Sequence, residues 1–436
     1  MAGPLAGIKV TDFTEYIAGP YCTMMLADMG ADVVKVERPE GDMWRHTAPV
    51  APYESQVFLG LNRGKRSIAL DMGLPDGREI ARRLAVRADV VVVNYRPGVT
   101  DRLGLDYESL SKENSRLVYC ENTAFGRKGP YASRPGFDIL SQAATGIILY
   151  ENKTDRGTPT FIRTLAVTDL TTAMFMAWGI VNALFARSAS GRGQRVETNL
   201  FASGLAAQYR PLVSVEERDR PVREGFIQEL KKARSRGTTH RESADLRGQY
   251  VPLRGRNNYY RVYETKEALI AIACLNNRQR RAVRDALDVD DATVDGMTYD
   301  WTSAEVREAH RQLTDSIEEN FRQRTTEEWL SALDAVDVPC SVVNFPEEIF
   351  DNEHVNANDL LLDLDHPVVG ALRLPRCPVQ MGDSDVGSDL PPPPLGAHGD
   401  EVLRELGYDE AAVTKLYDDG VLWTRERLLA RDGQSA

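Results

Sequence analysis

The sequence predicts an α/β fold with a mainly parallel sheet, followed by a second, smaller domain. Three observations predict it. Residues 8–37 read as a compact strand–helix–strand unit. Residues 89–94 (DVVVVN) are an unbroken apolar run, which a strand covered on both faces requires. Beyond about residue 205 the alternation of strands and helices stops and charge takes over.

Taken in order, residues 8–13 (IKVTDF) form the first strand. Gly19-Pro20 opens an apolar-periodic helix through Met29, and Gly30 stands where a C-terminal capping glycine belongs. Residues 31–37 (ADVVKVE) and 67–70 are further strands. Residues 76–87 carry a helical period with Ile80, Leu84 and Ala85 on one face. Strands at 89–94 and 116–121 follow. A long helix runs from about 169 to 189, ends at GRGQ (191–194) and gives way to the strand RVETNL. Residues 215–256 are rich in charge and poor in apolar period, so they read as a linker and crossing segment. Residues 259–275 alternate like a hairpin around Lys266-Glu267, and charged helical segments reach about 333. The run VDVPCSVVNF begins a return at 336–345, and 365–380 is sheet-like. The proline run 391–394 is a stiff linker, and two short helices near 399–406 and 409–418 follow it.

With 436 residues, two or three domains are expected. A 42% hydrophobic and 27% charged composition is that of a globular protein with room for an enzyme-sized cleft. No run approaches the ~18 apolar residues of a membrane span, and Met1 to Val10 lacks a basic region followed by an apolar stretch. A cytoplasmic protein without a membrane partner is expected. The five cysteines are odd in number, scattered and without a C-x-x-C pair, so they read as reduced thiols rather than a disulfide or zinc framework. A net charge of −12 argues against nucleic acid, and any phosphorylated ligand would need a local arginine cluster.

Several blocks, read together, resemble the family III CoA-transferases, which include formyl-CoA and carnitine CoA-transferases and the α-methylacyl-CoA racemases. They are PLAGIKVTDFTEYIAGPYCTMMLADMGADVVKVERPEGD at the start, NRGKRSIALD at 62–71, NYRPG at 94–98 continuing to DRLG, GRGQRVE at 191–197, and PLGAHGDEVLRELGY at 394–408. They cover most of residues 4–205 and the last fifty or so; the middle matches poorly. The resemblance implies a Rossmann-like large domain built from the N- and C-terminal segments, a smaller α+β middle domain, and two chains interlocked as a homodimer. On that layout residues 1–205 and 336–436 supply the large domain and its return linker, 206–235 a linker, and 236–335 the small domain.

Asp169, in LAVTDLTTAMFMAWG, stands at the start of the long helix. By residue type its plain role is to cap that helix. The resemblance implies instead that it is the nucleophile, attacking an acyl-CoA thioester to form an anhydride and then an aspartyl-CoA. Coenzyme A is then a substrate, with an acyl-CoA and a carboxylic acid as partners, and no metal or permanently bound cofactor. The resemblance further implies a CoA site lined by Ile17, Ala18, Arg38, Leu70, Asp71, Asn94, Tyr95, Arg96, Arg102, Arg134, Phe137 and Asp138. Ile17 replaces a glutamine that helps define the site in formyl-CoA transferase, which argues against that enzyme's substrate. Arg134 stands beside Pro135, where some members carry a lysine. Phe137 stands where the racemases carry a histidine, and phenylalanine cannot move a proton. The glycine-rich lid of some members corresponds to RGRNNYYR (254–261), where Arg256, Asn257 and Asn258 would replace glycines.

Four alternatives set this reading off. A racemase or a non-catalytic CoA-binding protein would share the fold. A dinucleotide-dependent oxidoreductase would use Glu37, at the end of the second strand, to read a ribose, but the turn TEYIAGP lacks G-x-G-x-x-G. A metalloenzyme would need clustered ligands, and His354 and His366 are badly spaced for one.

Overall fold

The structure is a computed structural model that describes residues 2–151, 153–250, 257–291 and 303–433. It divides into two compact units, one of residues 1–213 with 356–436, the other of 214–355.

The larger unit is built on a seven-stranded sheet. Its strands are β1 (Lys9–Asp12), β2 (Asp32–Glu37), β3 (Lys65–Leu70), β4 (Val90–Val93), β5 (Val118–Thr123), β6 (Arg195–Asn199) and β7 (Leu422–Trp423). Their order across the sheet is β6-β5-β4-β1-β2-β3-β7. Six strands run parallel, and β7 closes one edge antiparallel, with Leu422 opposite Leu70. The strands are apolar on both sides because helices cover both faces. Alternation decides which residue meets which face. Val91 and Val93 join a core with Ile80, Leu84 and Ala85 of α2 (Pro75–Arg87). Val90 and Val92 join a core with Cys22 and Leu26 of α1 (Ala18–Asp28) and with Ala173, Met176 and Ile180 of the 24-residue helix α4 (Val167–Ser190). A short helix, α3 (Asp138–Thr145), packs near the start of α4.

The chain leaves β1 toward β2 and β3, then crosses back to lay β4 on the other side of β1. That reversal opens a crevice between the carboxyl ends of β1 and β4, where open α/β sheets bind ligands.

The smaller unit holds a three-stranded antiparallel sheet of Tyr260–Glu264, Leu269–Ala273 and Cys340–Val342. Its core stacks Tyr263 on Phe321 with ring centroids 4.5 Å apart, beside Trp329. Two boundaries differ from the sequence reading. Residues 206–235 are not a plain linker, because Glu216–Ser235 is a helix with only Ala233 buried. It lacks an apolar face and carries ion pairs such as Lys232–Glu229 at 2.7 Å, which stabilise an exposed helix without leaving an apolar period. The return segment starts at 356 rather than 336, because Cys340–Val342 pairs into the small sheet.

Candidate active site

The loop after β1 rests on charges buried beneath it. Asp12 accepts from the amide and hydroxyl of Thr14 (2.9 and 2.6 Å), from the Thr23 hydroxyl (2.6 Å) and from Lys65 Nζ (3.1 Å). Burial alone would raise Asp12, but Lys65, Lys35 and the threonine hydroxyls hold it at about 2. Lys35 Nζ, fully buried, donates to the Thr14 carbonyl at 2.6 Å and lies 3.1 Å from Asp42. Asp42 in turn accepts from the amides of Tyr16 (3.3 Å) and Trp44 (3.0 Å). These contacts hold Tyr16 at φ +71°, a left-handed conformation that a non-glycine residue adopts at a cost of about 1–3 kcal/mol. Gly19 makes the fit possible, since a Cβ there would lie 2.2 Å from the Thr14 Cβ. Ile17 is the cap of α1 and Ala18 its buried first residue.

Most of the other expected CoA residues converge on the same edge. Asn94 follows β4 and grips the β1 loop from across the crevice: its Nδ2 donates to the Glu15 carbonyl at 2.6 Å and its Oδ1 accepts the Glu15 amide at 3.1 Å. Glu15 pairs with Arg38 at 2.8 Å, just past the end of β2, and the Arg38 Nε is buried without a hydrogen-bond partner among the described residues. Tyr95 packs against the core, and burial pushes its hydroxyl pKa up. Arg96 and Arg102 are exposed, and Arg134 is exposed with its guanidinium 4.4 Å from the Tyr131 ring centroid. Leu70 stands apart: its side chain is fully buried in the core, and only its backbone could meet a ligand. Asp71 folds back to accept the Gly73 amide at 2.8 Å.

Asp169 is in the first turn of α4 but does not cap it. The cap is Ala166, without a side-chain hydrogen bond. The capping is done from α3: Asp138 Oδ1 accepts the Thr168 amide (2.8 Å) and hydroxyl (2.7 Å). The other Asp138 oxygen accepts from Gln142 at 2.6 Å, and Gln142 also binds the Ile162 backbone through both ends of its amide. Asp138, expected among the CoA-lining residues, thus spends its carboxylate on positioning the start of α4. The Asp169 carboxylate is left without a donor among the described residues. Burial, and secondly the charge of Asp138, push its pKa up to about 7. Phe137, half exposed, meets Tyr16 edge-on with centroids 5.3 Å apart, and Tyr16 meets Trp44 at 6.0 Å. An aromatic row therefore links the β1 loop to the α3 start beside Asp169.

Glu37 cannot read a ribose: it is buried in a bidentate pair with Arg45, at 2.8 and 2.9 Å. His366 is also committed, accepting from the amides of Val368 and Val369 and lying 4.0 Å from Glu54. Of the expected lid, residues 254–256 lie outside the described residues. Asn257 accepts the Tyr259 amide at 3.0 Å, and Asn258 is buried in the small unit, accepting from Thr314 at 2.9 Å. Sequence reasoning missed Tyr16, Trp44, Glu15 and the Lys35–Asp42 support. The available signal was Lys35, a charge inside a strand otherwise buried on both faces, which must find a partner.

A switch-point crevice in a parallel sheet, with a half-buried carboxylate lacking a donor among the described residues at a helix start, is a place where open α/β sheets bind ligands. The family model for CoA-transferase family III matches residues 5–399. The chain is 32% identical over 429 residues to the succinyl-CoA:glutarate CoA-transferase of Mus musculus, covering 97% of this chain and 91% of that one. It is 32% identical over 432 residues to the succinyl-CoA:mesaconate CoA-transferase of Haloarcula marismortui, covering 93% and 97%. A CaiB/BaiF family protein from Brucella suis superposes with TM-score 0.71 at 29% identity, covering 93% of this chain and 100% of that one. The chain belongs to CoA-transferase family III. It is an enzyme that transfers coenzyme A between an acyl-CoA and a carboxylic acid.

Proposed function

We propose that the chain exchanges CoA between succinyl-CoA and a second dicarboxylic acid, with Asp169 as the covalent nucleophile. One observation carries the mechanism: the Asp169 carboxylate is half-buried, without a hydrogen-bond donor among the described residues, and relieved of capping its own helix by Asp138. A carboxylate stripped of hydrogen bonds is a stronger nucleophile than a solvated one. Its oxygen attacks the thioester carbonyl carbon, the C–S bond breaks, and a mixed anhydride and CoA thiolate result. The thiolate attacks the Asp169 carbonyl, releasing the donor acid and leaving an aspartyl-CoA thioester. The acceptor carboxylate attacks that thioester, again releasing thiolate and forming a second anhydride. The thiolate then takes the acceptor acyl group and regenerates the Asp169 carboxylate. No proton is gained or lost overall, which fits a site with no histidine from residue 122 to 169. Arg38, Arg96 and Arg102, at the carboxyl edge of the sheet, are the cations offered to the CoA phosphates. The choice of dicarboxylic acids is supported by the names of the two relatives.

Two further features belong to this reading. The Rossmann-like unit would form an interlocked homodimer. By length and composition α4 could cross a bilayer, but one side of it is buried in the core. Its other side leaves Met174, Trp178, Val181 and Phe185 exposed, Phe185 by 79%, a face suited to a second chain. The location would be cytoplasmic, in line with five free cysteines. The test is exchange of label from succinyl-CoA into a panel of dicarboxylates. Transfer to at least one acid, abolished in Asp169→Ala, is expected. Full transfer by Asp169→Ala would overturn the nucleophile, and racemisation of a 2-methylacyl-CoA without transfer would favour the racemase reading.

A further inference from the structure

The large unit contains a cavity of about 780 Å³ that lies away from the crevice. It is lined where β3 begins, at Lys65 and Arg66, whereas Asp169 and the CoA residues gather where the parallel strands end. Six prolines line it, Pro52, Pro367 and residues 391–394.

These walls are held in place from behind. Buried Arg45 donates to the Pro393 carbonyl at 2.9 Å, and Arg425 Nε donates to the Pro52 carbonyl at 2.9 Å. The Leu395 carbonyl accepts the Arg425 amide at 3.0 Å, and the Ser67 hydroxyl accepts the Gly396 amide at 2.9 Å. Proline has little conformational freedom to lose. A cavity built in this way is formed before any ligand arrives, and filling it costs little ordering entropy.

The polar groups facing it are unequal. Lys65 is turned inward, bonded to Asp12, Asn62 and the Pro20 carbonyl. Arg66 is held by Asp32, Glu401 and Glu405. Arg425 differs. Its side chain is 8% exposed, and beyond the Nε bond its only ion-pair contact among the described residues is Glu426, at 3.9 Å, too long for a hydrogen bond, with buried Glu54 close enough to feel its charge. Both terminal nitrogens of the guanidinium are left to donate. His398 accepts the Ser67 amide at Nδ1, at 3.2 Å, which puts the proton of the neutral ring on Nε2, and that N–H has no partner among the described residues. A nearly buried cation and a second donor thus line one preformed apolar cavity.

We propose that this cavity is a second ligand site, taking a small carboxylate whose apolar or aromatic body lies on the prolines while its anionic head meets Arg425 and His398. An anion without an apolar body would leave the proline walls wet, and a neutral ring would leave the guanidinium's terminal nitrogens without an acceptor.

The test uses full-length protein with the crevice saturated by CoA, and benzoate as probe, read by saturation-transfer NMR and titration. Benzyl alcohol is the neutral control. Benzoate is expected to bind with CoA present and benzyl alcohol is not. Arg425→Gln should weaken benzoate by about tenfold or more. Glu426→Gln should tighten it, because the competing carboxylate is gone. That gain cannot come from misfolding, so it decides the matter if Arg425→Gln fails to fold. No binding to the wild type at 10 mM-scale benzoate, roughly the weakest useful range, would overturn the proposal. So would displacement of benzoate by CoA, equal binding of benzyl alcohol, or an affinity unchanged by Glu426→Gln.

Discussion

Replacing Asp169 by Asn should make the protein more stable, by an amount that grows as pH rises from about 4 to 7 and is absent at lower pH. Asp169 is held at about 7 against an ordinary 3.8, first by burial and then by Asp138. A carboxyl raised in the folded state favours folding while protonated. Its contribution is complete below the unfolded value and is lost as pH rises through the folded one. At 1.36 kcal/mol per unit the loss is about 4 kcal/mol, and because solvent reaches part of the side chain about half of that is a fair expectation. Asparagine keeps the shape and never ionises. The variant should match the wild type near pH 3, below the unfolded value, and melt higher at pH 8.5, by about 3–6 °C for a unit of this size. The assay is thermal unfolding followed by circular dichroism at both pH values, at one protein concentration so that self-association is constant. The same melting difference at both pH values, or a lower melting point for the variant at pH 8.5, would refute the reasoning. The stability forfeited by the wild type is what an unpaired reactive carboxylate entails.

Other outcomes follow from the same contacts. Asp138→Ala removes both the like charge beside Asp169 and the acceptor for Thr168. The acid limb of the pH–rate profile for the first acyl transfer should move to lower pH, with roughly 1–2 kcal/mol of stability lost; an unmoved limb would count against the coupling. Glu37→Ala leaves Arg45 buried without its bidentate partner and should cost about 3–5 kcal/mol in urea unfolding, so a midpoint equal to the wild type would contradict the buried network. Phe185→Glu places a charge on the exposed face of α4 and should shift the mass measured by light scattering toward the monomer; an unchanged dimer would move the interface elsewhere.

The parallel core was readable because its signal is local and strong. The run at 89–94 and the apolar face of 76–87 became β4 and α2. Gly30 and Gly191 sit just past α1 and α4 with left-handed φ of +90° and +71°. The edge strand β7 was not readable, since two residues carry no period and their pairing with Leu70 and Ala69 comes from the far end of the chain. The helix Glu216–Ser235 was read as a linker because charge on every side removes the apolar stripe that marks a helix. At the site, the position of Asp169 near a helix start was legible, but its release from capping was not. That depends on Asp138, thirty residues earlier, reaching the Thr168 amide. The Glu15–Arg38 and Lys35–Asp42 pairs were equally hidden, because sequence shows which charges exist and the fold decides which meet.

The account rests on Asp169 becoming covalently linked to acyl or CoA groups. The direct test is intact-protein and peptide mass spectrometry after incubation with succinyl-CoA, then hydroxylamine or borohydride, comparing the wild type with Asp169→Ala. The account predicts a CoA adduct, or its hydroxamate or alcohol, on the peptide carrying Asp169 of the wild type alone. Transferase turnover with no adduct at Asp169, or with the same adduct in Asp169→Ala, would contradict it.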